Sequence, residues 1–375
     1  MLAGLNQAVR SAYHAAGMLY ELQLDLLYQC DLDCEHCYLD DKSKRILPTS
    51  FWLDVIDQAA DLQVFTLLLS GGEVFLRKDL LAVIGHARAR GLFVHLKSHG
   101  GGIDAPTARR LAELGVSSVW LSYYATEPSV HDAITRRPGS HAATRAAIDH
   151  LRAAGVTVLV ACAVMQRNRD HWRDVVRECE ALGVSVSLDG EIRAAHSGAT
   201  FPRDTALTEP DLVDLERFKL ARLGGDCAVP SASNDWGAQK NCAAGTLALY
   251  VSPEGDVTPC VTWPEPLGSL AAGDRLAELW ARSARLSAVK AHTKAERELC
   301  TTCPVREDCD FCMGESFVET GDPHRAIATL CLSTRARTLA KAAALGLPEP
   351  PMPAGLARAR FAILTPAQAA AARAR

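Results

Sequence analysis

Three cysteines within eight residues constrain this chain more than any other feature in it. Cys30-Asp31-Leu32-Asp33-Cys34-Glu35-His36-Cys37 has the spacing CxxxCxxC. It follows the alternating apolar run Leu22-Gln23-Leu24-Asp25-Leu26-Leu27-Tyr28, which predicts a strand. Thiolates on a loop at a strand's end can share one metal centre. Three are one too few for a four-iron four-sulfur cluster, whose irons each take an outside ligand, so one iron stays open for another molecule. The spacing alone also admits a zinc knuckle or a disulfide pair. Zinc sites usually set a CxxC against a second Cys/His pair close by, and His36 has no evident partner in the sequence.

Composition narrows the choice. The chain has 375 residues, 48% hydrophobic and 22% charged, with a net charge of -4. That is ordinary for a globular protein, with nothing directing it to nucleic acid or a membrane surface. No signal peptide and no apolar run long enough to span a bilayer is present, so the expected compartment is the cytoplasm. Thirteen cysteines there point to metal ligation rather than a disulfide framework.

Residues 1–20 predict a helical lead-in, with Leu5, Val9 and Tyr13 at helical spacing. Strands are expected at 22–28, 64–70, 93–98, 117–123, 157–164 and 184–188. Helices are expected between them at 50–60, 79–90, 106–114, 140–154 and 170–182. Gly91, Gly115, Gly155 and Gly183 serve as helix stops. Six βα units with near-continuous apolar strands imply a parallel sheet covered by helices. Right-handed crossovers would curl it into a partial (β/α)6 barrel with its site at the C-terminal strand ends. The expected organisation is a barrel over 21–200, a bridge over 201–235, a cysteine-rich domain over 236–335 and an Ala/Arg/Pro-rich tail over 336–375.

CxxxCxxC followed by Tyr38 resembles the signature of the radical SAM superfamily. In that family the open iron chelates S-adenosylmethionine, whose reductive cleavage gives a deoxyadenosyl radical. The loop Ser70-Gly71-Gly72-Glu73 after the second strand is similar to the family's GGE motif, which holds the cofactor's amino group; paired glycines let a backbone approach a ligand closely. The resemblance further implies Ser98 and Ser122 as cofactor contacts and Arg136 as partner of the cofactor carboxylate. His131 reads as a structural hydrogen-bonder, and Met165–Asn168 falls where relatives pass near the adenine. Polar residues leaving the sixth strand, Asp189 and Arg193, are the expected substrate-facing pair, although Asp189-Gly190 also reads as a turn.

The later cysteines form a second constellation: Cys242, Cys260 after a hairpin turning at Glu254-Gly255-Asp256, Cys300-x-x-Cys303, Cys309-x-x-Cys312 and Cys331. Seven exceed what one tetrahedral ion needs. The order resembles the SPASM extension of radical SAM enzymes, which carries two auxiliary iron–sulfur clusters. By that resemblance Cys300, Cys303, Cys309 and Cys331 hold one cluster. Cys242, Cys260 and Cys312 hold the other, with Cys227 or an open iron completing it. Cys162 and Cys179 read as buried apolar residues.

The resemblance implies an enzyme that oxidatively modifies a side chain of a ribosomally made peptide or protein. A flavodoxin- or ferredoxin-type electron donor is implied too. The short lead-in points to a separate leader-binding partner. Tetrapyrrole-modifying enzymes and sulfatase-type maturases share the architecture. The latter carry an Asp where this chain has Val261. The rival of another class is a non-catalytic iron–sulfur or zinc protein.

Overall fold

The computed structural model describes residues 2–44, 46–222, 236–239 and 242–359. After helix α1 (Leu2–Ala16) come β1 (Glu21–Asp25), α2 (Thr49–Asp61), β2 (Thr66–Ser70), α3 (Leu80–Ala89), β3 (Phe93–Ser98), α4 (Ala105–Glu113) and β4 (Ser118–Ser122). The succession continues with α5 (Pro128–Thr135), α6 (Ser140–Ala153), β5 (Val158–Ala163), α7 (Trp172–Leu182) and β6 (Ser185–Asp189). Local chemistry sets several ends. The Asp104 side chain accepts the Thr107 N–H and caps α4, and Gly183, at φ 65°, ends α7.

The six strands are parallel neighbours in chain order, and alternation sorts their two faces. Leu22, Leu24, Leu67, Leu69, Val94, Leu96, Val119, Leu121 and Val160 are buried. The covering helices bury Trp52, Ile56, Val83, Ile84, Leu111, Leu151 and Val175. Gln23, Asp25, His95, Lys97, Trp120, Ser187 and Asp189 fall on the other parity, on the barrel's concave face. The sequence pattern overlooks α5, which begins at Pro128 in the first-turn position that tolerates proline.

The hairpin expected to found a separate domain instead extends this sheet. β7 (Ala248–Val251) pairs parallel with β1, Gln23 opposite Tyr250. β8 (Asp256–Thr258) and β9 (Gly268–Ser269) follow antiparallel. The result is one nine-stranded sheet in the order β6-β5-β4-β3-β2-β1-β7-β8-β9. Without β7, β1 would present an unpaired backbone edge.

The chain divides into two compact units interleaved in sequence: Met1–Ala206 with Cys242–Ala291, and Leu207–Asn241 with His292–Arg375. The first also holds α9 (Leu276–Arg282) and α10 (Ala284–Ala291). In the second, α8 (Glu209–Arg222) lies in the stretch expected as a bridge. It is followed by α11 (Glu298–Thr301), α12 (Met313–Thr320), α13 (Ala328–Leu345) and α14 (Ala354–Ala359). α8 packs along α13. α13 runs ten residues past the expected domain end at 335, because alanines sustain it until Gly346 at φ 64°. No described helix is long and apolar enough to cross a membrane.

Candidate active site and thiol clusters

The loop after β1 carries Cys30, Cys34 and Cys37, and all three line a cavity of about 400 Å³ at the C-terminal ends of the strands. Every strand from β2 to β6 contributes to its wall, through Ser70, Lys97, Ser98, Trp120, Ser122, Ala161, Ser187 and Asp189. The cysteine loop has little regular structure of its own and is held from outside. α5 accepts two of its amides, Asp33 N to Thr135 O at 3.1 Å and Glu35 N to Ile134 O at 3.0 Å. Arg167 grips Glu35 with two bonds of 2.9 Å, and Lys42 donates to Leu32 O at 2.6 Å. Burial pushes the Cys34 thiol up to about 12, with Cys37 and Cys30 adding to the rise. Loading metal onto these thiols therefore releases protons.

Gly71 and Gly72 also line the cavity, but what presses on them is the chain's own backbone. A Cβ on Gly71, at φ 131°, would overlap Leu27 O, and one on Gly72 would overlap Gln29 O. Gly72 N donates to Leu27 O at 2.8 Å and Glu73 N to Gln29 O at 2.9 Å. The paired glycines thus let the second loop lie against the stem of the cysteine loop.

Glu73 is buried and does not line the cavity. Its carboxylate accepts from Phe75 N at 3.0 Å, from Ser98 Oγ at 2.8 and 3.0 Å, and from His99 N at 2.9 Å. Ser98 reaches the cavity wall, yet its hydroxyl is committed to Glu73 as donor and to Gly100 N as acceptor. These two residues tie the second loop to the third. His99 joins them: burial opposes its charge, but contacts with Cys30, Glu73 and Asp31 outweigh that and lift it to about 9.

Arg136 is displaced from its expected place. It sits in the left-handed conformation at the end of α5, its side chain is 56% exposed, and it pairs with Asp33 at 3.1 Å. The turn that ends α5 sends this side chain to the surface. His131 accepts Tyr124 N at 3.3 Å from a buried position, and Met165 lies in a buried cluster with Tyr124, Ile134 and Ile192. Asp189 lines the cavity while its Oδ1 accepts Glu191 N at 2.9 Å, so it is wall and turn together. Arg193 donates to Thr262 at 3.0 Å and interacts electrostatically with Tyr38 and Lys97.

Two cavity residues, and one behind the wall, escape the motif-based reading. Lys97 lines the cavity, and loss of solvent around it lowers its pKa against the pull of Asp25. The signal was parity, since position 97 shares the inward face with His95. His36 stands edge-on to Tyr124 at 5.0 Å, and burial drops it to about 4. Its Nδ1 is buried with no hydrogen-bond partner. Behind the wall, Asp25 accepts from Gln23 and Tyr250, each at 3.0 Å, and burial raises it to about 6.

Within the second unit, Cys300, Cys303, Cys309 and Cys331 converge on one cavity of only about 20 Å³. Arg297 is buried with its guanidinium 4.3 Å from the Phe311 ring, and both line this space with Trp236 and Thr334. The segment expected as a loose tail closes it: Pro353, Ala354 and Gly355 are part of the wall. Gly355 offers its backbone N–H to Cys331, and a Cβ there would overlap that sulfur. Burial lifts Cys300 to about 11 and Cys331 to about 12, with the neighbouring thiols contributing. Cys312 opens α12 outside this cavity. Cys242 is exposed and Cys260 half-buried on either side of the β7–β8 hairpin, while Cys227 lies outside the described residues. Cys162 and Cys179 are buried, although Cys162 also reaches the larger cavity.

The donor sets fit iron–sulfur clusters. Three thiols on one wall of a roomy cavity, beside an orphaned ring nitrogen, suit a cluster with a second ligand, and four thiols around a closed space suit a complete one. Residues 26–179 match the Radical SAM superfamily, and 242–304 match the SPASM iron-sulfur cluster-binding domain. The chain is 31% identical over 364 residues to the PqqA peptide cyclase of Streptomyces rochei, covering 92% of this chain and 96% of that protein. It is 27% identical over 328 residues to that of Methylocella silvestris, covering 81% and 85%. The structure of Streptococcus suis SuiB bound to precursor peptide SuiA aligns with a TM-score of 0.66 at 15% identity, over 87% of this chain and 80% of that one. Native anSMEcpe with bound AdoMet aligns at 0.67 and 15%, over 87% and 98%. These two likenesses concern the fold alone.

Proposed function

The chain belongs to the radical SAM superfamily, in the branch that carries a SPASM iron–sulfur domain, and on that premise we propose that it matures a ribosomally made peptide by oxidising or crosslinking its side chains. Its cofactors are S-adenosylmethionine, a 4Fe-4S cluster and auxiliary iron–sulfur clusters. When bound, the reduced cluster and S-adenosylmethionine supply a deoxyadenosyl radical that takes a hydrogen atom from the substrate.

The chain's own residues do the rest. Cys30, Cys34 and Cys37 hold the cluster at the cavity wall. The loop of Gly71 and Gly72, braced by Glu73 and Ser98, shapes the cofactor pocket, and the bare Nδ1 of His36 is available to a polar group of the bound cofactor. Ser122 adds a hydroxyl to the same wall. Lys97 brings a positive charge that orients a carboxylate. Trp120 and Tyr124 keep water from a radical site. Asp189 and Arg193 orient the peptide. Cys300, Cys303, Cys309 and Cys331 hold one auxiliary cluster. A flavodoxin- or ferredoxin-type donor supplies electrons in the cytoplasm, and a separate small protein presents any leader segment.

One observation carries the choice of a peptide substrate: identity to a peptide cyclase that runs through both cysteine modules, over 364 residues. The test is anaerobic reconstitution, reduction, addition of S-adenosylmethionine, and assay of deoxyadenosine beside Cys30→Ala. Incubation with a short Cys-, Tyr- or Trp-containing peptide encoded beside the gene follows. Wild type should make deoxyadenosine and return the peptide two hydrogen atoms lighter, and the variant should do neither. A fully loaded wild type that makes none, with or without peptide, would sink the radical reading. Deoxyadenosine with every such peptide unaltered would sink the peptide one.

A further inference from the structure

Outside both thiol sites, two histidines and a glutamate meet in the second unit. His292 follows α10, Glu296 closes a short 3-10 turn at Lys294–Glu296, and His324 lies in the turn after α12. His292 Nδ1 and Glu296 Oε2 are 2.7 Å apart. His324 Nε2 lies 3.0 Å from each of them. Three donors bound to one cation at about 2.1 Å and at right angles stand about 3.0 Å apart, so this triangle has the size of one face of an octahedron.

Hydrogen bonds alone cannot satisfy it. Each ring nitrogen that faces the triangle either carries a proton or does not. If both do, two N–H groups confront each other across the 3.0 Å His–His side. If one is bare, its lone pair faces the carboxylate oxygen at 2.7 or 3.0 Å. With neither protonated, all three sides lack a proton. A cation at the centre removes the conflict once both facing nitrogens are bare, any proton on them being released as the ion binds.

The surroundings hold the donors ready. Asp322 accepts His324 N at 2.9 Å and fixes that turn. Glu296 accepts Thr293 N at 3.1 Å and so closes its own turn. Glu296 and His324 also line an open groove with Asp322, which leaves water access to the remaining coordination positions.

We propose that His292, Glu296 and His324 form a binding site for a divalent transition-metal ion, separate from every iron–sulfur cluster. The ion would clip two segments that are 32 residues apart at their ring contact. Glu296 stands just before the helix of Cys300, and His324 just before that of Cys331, so the clip would brace two walls of the four-thiol site.

The test uses holoenzyme with its iron and sulfide fully reconstituted, so that the thiols are occupied. It is exposed to Zn²⁺, desalted, and assayed for zinc and iron together. Wild type should retain one zinc per chain with its iron unchanged. His292→Gln and His324→Gln should lose that zinc while keeping wild-type iron. Zinc-edge X-ray absorption on wild type, which needs no variant, should give a nitrogen and oxygen shell without sulfur. Wild type that retains no zinc, a sulfur-dominated shell, or variants that retain zinc equally would each overturn the site. None of these outcomes depends on S-adenosylmethionine cleavage, so the two proposals can fail separately.

Discussion

The two best-defined thiol sites differ in one physical respect, the space left beside the sulfurs. Cys30, Cys34 and Cys37 occupy one wall of a cavity of about 400 Å³, whereas Cys300, Cys303, Cys309 and Cys331 surround about 20 Å³. The first has room for a second molecule and polar groups waiting for it, including His36 Nδ1 and Lys97. The second is filled by Phe311, Trp236 and Arg297, and is covered by Gly355. A metal centre that must bind substrate keeps a position open, and one that only moves electrons or braces a fold is closed. The supports differ accordingly. The open site is held by backbone and charge contacts that leave its inner face free, and the closed one by aromatic packing and a sealing loop.

The sharpest way to break this contrast is a pair of variants. Cys37→Ala should abolish deoxyadenosine formation and lower the iron content by about four per chain. Cys309→Ala should lower iron by a similar amount, yet leave deoxyadenosine formation measurable while peptide modification stops. Equal loss of cleavage in both would mean that the closed site is not separable from the open one. Glu73→Gln comes next. It weakens the charged contacts to Ser98, His99 and Phe75, each worth about 1.5–3 kcal/mol. The rate of deoxyadenosine formation should fall at least about tenfold with iron content retained, and an unchanged rate would remove Glu73 from the scaffold of the open site. The smallest effect belongs to the cover. Ending the chain after Leu347 removes Gly355 and its N–H to Cys331. A hydrogen bond of about 0.5–1.5 kcal/mol corresponds to roughly two- to tenfold faster loss of iron in air, read by absorbance, with deoxyadenosine formation unaffected.

The amino-acid sequence by itself determined the inventory and the periodicity. CxxxCxxC after an alternating strand, six βα units and the later cysteine pairs are local patterns, legible because strand parity, helix stops and short spacings act between near neighbours. β3 falls at Phe93–Ser98 as its pattern predicts, and the other barrel strands shift by only a few residues. Tertiary structure alone decided what those residues touch. It turned Arg136 outward onto Asp33 and set Ser98 on Glu73 rather than leaving its hydroxyl free. It pressed Gly71 and Gly72 against Leu27 and Gln29. It joined β7 to β1, and it laid Gly355 over Cys331. Each of these contacts joins segments far apart in the chain, and no local propensity encodes such a meeting. It forms because burying two surfaces together leaves one arrangement in which backbone groups are paired and side chains do not overlap.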